Sequence, residues 1–300
     1  MKKNTQKYLV YPLLILAMLF WAYSFIWAKF ALDYYHPISL IFFRTVISFV
    51  FLFFVLLIAK KQLRIKLKDL PIFILLAFFE PFLYFLGETN GLNRIDASTT
   101  AVIISTIPLF TPIVAYYFLK ERFSLFNILG ILISILGVIV IVFNVKMEIL
   151  VSTEGLAFLF LAVVAALGFS VVVKRIPENY SVFTVIFYQN LIGAFLFLPL
   201  VLIFNLNEII ETGFVKEAVL PIIKLGVFAS SLAFMFYINA LRYMNISKAN
   251  IFTNMIPVFT IIISWYVLGE AIDTKKILGI IFVLSGVFIS QIGSKKASIK

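Results

Sequence analysis

The 300-residue chain has no cysteine, one histidine and little charge, with Asp, Glu, Lys and Arg together at 13%. Without cysteine there are no disulfides, thiolate metal sites or cysteine nucleophiles. The single histidine, His36, falls in a short Tyr34-Tyr35-His36-Pro37 turn, which disfavours a Ser-His or other histidine-dependent acyl-transfer centre. No cluster of His, Cys or carboxylates has metal-site spacing. No Asp falls inside an apolar stretch, which argues against a paired-aspartate intramembrane protease, and no Gly-x-x-x-x-Gly-Lys-Ser/Thr occurs, so the chain does not itself hydrolyse ATP. The expectation is a protein that is not an enzyme and takes no cofactor, metal or nucleic acid.

What is present is apolar: 63% hydrophobic residues, including 35 Phe, more than a soluble fold of this length can hide. A spanning helix needs roughly 20 mostly apolar residues. About ten such stretches can be read, near 9–32, 38–58, 71–90, 97–118, 124–143, 154–173, 181–204, 219–240, 247–268 and 275–293, leaving no room for a soluble domain. The first is longer than a signal-peptide core and carries Trp21, Trp27 and Lys29, so it reads as a retained span.

The net charge of +11 is unevenly distributed. With the N-terminus inside and ten alternating spans, the inner segments hold seventeen cations: Lys2, Lys3, Lys7, Lys60, Lys61, Arg64, Lys66, Lys68, Lys120, Arg122, Lys174, Arg175, Arg242, Lys248, Lys295, Lys296 and Lys300. The outer loops hold only Arg94, Lys146, Lys216, Lys275 and Lys276. The positive-inside rule then selects ten spans with both termini cytoplasmic.

The chain also repeats itself. Ile107–Val138 returns 149 positions later as Ile256–Val287, identical at fourteen of thirty-two positions, among them Pro108/Pro257, Tyr117/Tyr266, Glu121/Glu270 and Gly137/Gly286. A register of five spans is odd, so the second copy enters the membrane upside down. Two inverted copies give a scaffold two exchangeable arrangements, the basis of alternating access.

Phe20-Trp21-Ala22-Tyr23-Ser24-Phe25, Phe43-Arg44 and the twice-occurring order of Pro, Tyr-x-x-Leu-x-Glu, Ile-Leu-Gly and Gly-Val resemble the drug/metabolite transporter superfamily, specifically its EamA-type members. The resemblance covers nearly the whole chain. It implies an all-α integral membrane fold of ten transmembrane helices in two inverted five-helix repeats, here 1–148 and 149–300. It also implies a secondary active transporter of small metabolites, often amino acids, across the bacterial inner membrane. An exporter is the first expectation. The alternatives are a proton-coupled exporter of cationic drugs and an uptake carrier or exchanger of the same fold. The partners expected are the bilayer and a small-molecule substrate, with the protein a monomer or homodimer.

Small and polar residues on one helix face mark surfaces turned toward other helices or a cavity. Such stripes run through Ala101, Ser105, Pro108, Pro112 and Ala115; through Asn250, Asn254, Pro257, Ile261 and Ser264; through Gly226, Ser230, Ala233, Tyr237 and Ala240; and through Ala77, Pro81, Tyr84, Glu88 and Gly91. They are expected to enclose one central cavity. Ser105, Ser230, Asn250 and Asn254 are candidate substrate contacts, and the resemblance adds Ser24. Pro108 and Pro257 free the carbonyls of Ile104 and Thr253, which makes them candidate hinges.

The sharpest single residue is Glu80, nine residues into its span, or roughly 14 Å at 1.5 Å per residue, near the middle of a ~30 Å core. An acidic side chain there costs about 2.5 to 3.5 kcal/mol even on lenient scales. It is a candidate proton carrier or anchor for an amino group. The structural alternatives are a fixed ion pair with Lys29, Arg44 or Lys224, and a permanently protonated acid hydrogen-bonded to a neighbour. Arg44 itself is expected to reach outward in a structural role. Tyr84 and Trp21 are candidates to present ring faces to a substrate amine.

Overall fold

The computed structural model describes residues 2–60, 64–119, 124–143, 149–177, 179–241 and 252–297. Among them the chain is helical throughout, apart from turns, loops and one isolated bridge between Phe143 and Ile149. The elements are α1 (Lys2–Leu32), α2 (Pro37–Ile58), α3 (Leu67–Arg94), α4 (Ala97–Ile104), α5 (Ile107–Leu119), α6 (Leu125–Val142), α7 (Thr153–Val173), α8 (Val182–Thr212), α9 (Lys216–Ala240), α10 (Met255–Val267) and α11 (Thr274–Ala297). With α4 and α5 taken together, eight helices from α1 to α9 are long and apolar enough to cross a membrane. Helix α10 is a shorter apolar helix of 13 residues, and α11 has 24.

Helix starts follow the local sequence. Pro37 opens α2, where a missing N–H costs nothing, and His36 caps it by accepting from the N–H of Ile38 at 3.4 Å. Asp96, Ser152 and Ser181 cap α4, α7 and α8 through the N–H groups of Thr99, Gly155 and Thr184 at 2.7, 3.1 and 3.1 Å.

The fourth span is interrupted close to Pro108. It breaks at Ser105–Thr106, one turn before Pro108. Proline supplies no N–H for the carbonyl of Ile104, and the hydroxyls of Ser105 and Thr106 turn back on the carbonyls of Val102 and Ile103 at 2.7 and 2.6 Å. Asn254 likewise stands at a turn immediately before α10 and its Pro257. Positions 105 and 254 are 149 apart. The same spacing relates two widened, π-helical stretches, Phe78–Leu83 in α3 and Leu225–Ala233 in α9. The first contains Pro81 and Glu80, whose backbone is non-helical at φ −146°, ψ 118°.

Packing is closest where side chains are smallest. Helices α6 and α11 cross antiparallel with backbones in contact: a Cβ on Gly137 would lie 2.6 Å from the carbonyl oxygen of Gly279, and one on Gly130 would meet that of Gly286. A shift of 149 residues turns each of these two contacts into the other. Between them Ser134 donates to the carbonyl of Val283 at 2.8 Å. Helix α2 packs on α8 and α9, α3 on α7 and α8, and α1 on α9 and α10.

Candidate functional site

The charged centre of the bundle lies where α2, α3 and α9 meet. Arg44 on α2 is buried, with 3% of its surface exposed. Its Nε donates to Ser230 Oγ at 3.1 Å, its guanidinium carbon lies 3.9 Å from the centroid of Phe85, and its Nη1 stands 3.6 Å from Glu88 Oε2. This corrects the expectation that Arg44 reaches outward: it points across the bundle, onto α3 and α9. Glu88 is 7% exposed and lies near Tyr84, one turn earlier on α3.

Glu80 belongs to the same cluster. It is 6% exposed, and the charges acting on it are those of Glu88 and Arg44. Among the described residues no hydrogen bond or ion pair holds its carboxylate. The pairings offered as its structural alternative are taken up elsewhere. Arg44 pairs with Glu88, Lys224 lies over the ring of Trp27 at 5.8 Å, and Lys29 feels Glu270, Asp96 and Asp33. Tyr237 on α9 feels the charge of Glu80, and its ring lies 5.3 Å from that of Trp21, which also meets Phe234 edge-on at 5.1 Å. The cluster therefore joins Arg44, Glu80, Tyr84, Glu88 and Ser230, with Tyr237 and Trp21 as an aromatic side.

The other candidates fall elsewhere. Ser24 and Ser105 donate to carbonyls of their own helices, Trp21 at 2.6 Å and Val102 at 2.7 Å. Asn254 borders a pocket of about 420 Å³ lined by Leu284, Ser285, Phe288 and Ile289 of α11. Asn250 lies outside the described residues. Gly226 packs on Ile47 and the Arg44 backbone, Ala233 and Ala240 on α1, and Gly91 on Leu159 and Gly155 of α7. Faces rich in small residues act here mainly as packing seams.

A second polar cluster closes the end of the bundle that carries His36. Glu270 accepts from the N–H groups of Ala97 and Ser98 at 2.6 and 3.1 Å and from Ser98 Oγ at 2.5 Å, at the start of α4. Lys276 bridges Asp96 at 2.8 Å and Glu270 at 4.0 Å. Burial pushes the Asp96 carboxyl up, but the hydrogen bond and charge of Lys276, with the Thr99 N–H and Ser98 hydroxyl, hold it below its ordinary value. At the same end Tyr35 donates to the carbonyl of Gly213 at 2.7 Å, and Glu208 accepts from the N–H of His36 at 2.7 Å.

A multi-pass helical bundle with ionisable side chains buried among its spans has the make-up of a membrane transporter. The chain belongs to the EamA-like transporter family, whose profile matches residues 9–143 and again 153–291. It is 28% identical over 276 residues to an uncharacterized transporter of Archaeoglobus fulgidus, covering 92% of this chain and 96% of that one. It is 26% identical over 301 residues to the uncharacterized transporter YdfC of Bacillus subtilis, covering 99% and 94%. A crystal structure at 15% identity superposes with a TM-score of 0.67 over 96% of this chain and 98% of the other, a likeness of fold.

Proposed function

We propose that this transporter is a secondary carrier that exports a small amino-bearing metabolite, an amino acid or close relative, across the bacterial cytoplasmic membrane. The observation that carries the reading is the imbalance of the central cluster: two carboxyl groups, Glu80 and Glu88, to one guanidinium, Arg44. Glu88 is matched by Arg44, so Glu80 requires either a proton or a substrate ammonium. Competition between the two at one carboxylate couples their movements, because a ligand shifts a carrier only through its differential affinity for the carrier's states.

Alternating access of two inverted halves, 1–148 and 149–300, is the proposed motion. The 149-residue register supports it, since it relates the helix breaks at Ser105 and Asn254 and exchanges the two glycine contacts between α6 and α11. Ten spans with both termini in the cytoplasm agree with the distribution of the cations. The rings of Trp21 and Tyr237 beside the acid favour one second reading, a proton-coupled exporter of cationic drugs.

Counterflow of amino acids into proteoliposomes tests the proposal. Saturable exchange of an amino-bearing solute is expected, and flux that never saturates sinks the carrier reading.

A further inference from the structure

The contacts of Arg44 repeat one register away without any charge. Adding 149 to Arg44 gives Gly193, and subtracting 149 from Ser230 gives Pro81. Gly193 and Pro81 do touch, a Cβ on the glycine having no room beside the proline ring. The next contact along obeys the same rule: Ser48 and Ser231 share a 2.7 Å hydrogen bond, while their counterparts Phe197 and Phe82 pack ring to ring at 5.0 Å. The scaffold therefore makes this helix crossing twice, once with a proline and two rings and once with a buried guanidinium and three serine hydroxyls. The charge is not needed to hold the crossing together.

How Arg44 is held also matters. A guanidinium carries five N–H donors, one on Nε and four on the two Nη groups. Nε is used by Ser230, and one face is covered by Phe85. The Nη1 contact with Glu88, at 3.6 Å, is too long for a hydrogen bond between charged groups, which falls near 2.7–2.9 Å. Among the described residues none of the four Nη hydrogens is donated within hydrogen-bond distance. The guanidinium is thus fixed by its Nε and its face, while its forked end, the part that recognises carboxylates two bonds at a time, makes only the long ion pair with Glu88 among the described residues. Glu80, to which the described residues give no hydrogen bond or ion pair, lies within electrostatic reach of it.

We propose that Arg44 is the receptor for a substrate carboxylate and Glu80 the receptor for the ammonium of the same molecule, so that the site takes a zwitterionic amino acid read at both ends. This rests on the amino-bearing substrate proposed above and adds the second pole. Glu88 remains beside Nη1 and aligns the guanidinium.

The test uses the purified full-length protein and thermal stabilisation by the twenty common amino acids, each set beside its amide and its decarboxylated amine. In the wild type at least one amino acid is expected to bind ten or more times more tightly than its amide and its amine. In Arg44→Gln/Glu88→Gln, which removes both members of the pair together, that ratio collapses toward one. In Arg44→Lys, which keeps the charge but loses the fork, it shrinks several-fold. Equal binding of acid, amide and amine by the wild type, or a ratio that survives both variants, overturns the two-pole site and leaves the amine-carrier reading standing. If only solutes without an amino group stabilise the protein, both readings fall.

Discussion

Arg44 donates from Nε to Ser230 at 3.1 Å, while the equivalent pair one repeat away, Gly193 and Pro81, meets without a polar atom. The two halves share a way of crossing helices and differ in what they place at the crossing. All of the charge sits on one side.

Glu80→Gln removes the acid to which the described residues give no partner while keeping its shape. Membrane insertion and thermal stability are expected to hold, whereas the response of transport to an imposed pH gradient disappears. Proteoliposome flux with and without the gradient measures this, and an unchanged response takes Glu80 out of the coupling.

Arg44→Ala leaves Glu88 buried without its cation. Removing one partner of a buried pair costs about 3–5 kcal/mol, so the single variant should unfold well below the wild type. Arg44→Gln/Glu88→Gln should recover most of that loss. Melting temperatures of the two variants in one detergent decide it.

Glu270→Gln gives up the charge that caps α4 through Ala97 and Ser98. Hydrogen bonds to a charged group contribute about 1.5–3 kcal/mol, part of which the amide oxygen keeps. A loss of about 1–2 kcal/mol is expected in thermal unfolding.

Asp96 gives the same end a pH dependence. Its folded-state pKa lies below the ordinary value, so the folded form binds its proton less readily than the unfolded chain. Its stabilisation is fully present above the ordinary aspartate value of about 4 and is lost as pH falls through the lower folded value. Lys276→Ala should bring that loss to higher pH, as unfolding at pH 3–6 would show.

Much of the helix plan is legible in the sequence because lipid imposes it. Apolar runs of about twenty residues have few other uses, and the described helices follow the expected stretches closely through residue 240. Glu80 stands out for the same reason, as a carboxylate deep in such a run.

Arg44 points across the bundle rather than outward because position along a helix gives depth and says nothing about direction. Glu88 carries a signal that goes unused: with Glu80 and Tyr84 it makes a series four residues apart, one face of a helix. Glu270 has no such signal. Its partners Ala97 and Ser98 lie more than 170 positions away, and in the sequence it serves only as a marker of the repeat. The prolines at 108 and 257 mark the interrupted spans, but the turn lies one step earlier, at Ser105 and Asn254.

The glycine crossing of α6 and α11 has a mechanical side. Helices that interlock through ridges and grooves must climb over side chains to change their angle. Gly130 against Gly286 and Gly137 against Gly279 present no such teeth, and the Ser134 hydrogen bond to Val283 pins the midpoint. The two backbones leave no room between them, so a side chain added at Gly130 or Gly286 would force the helices apart.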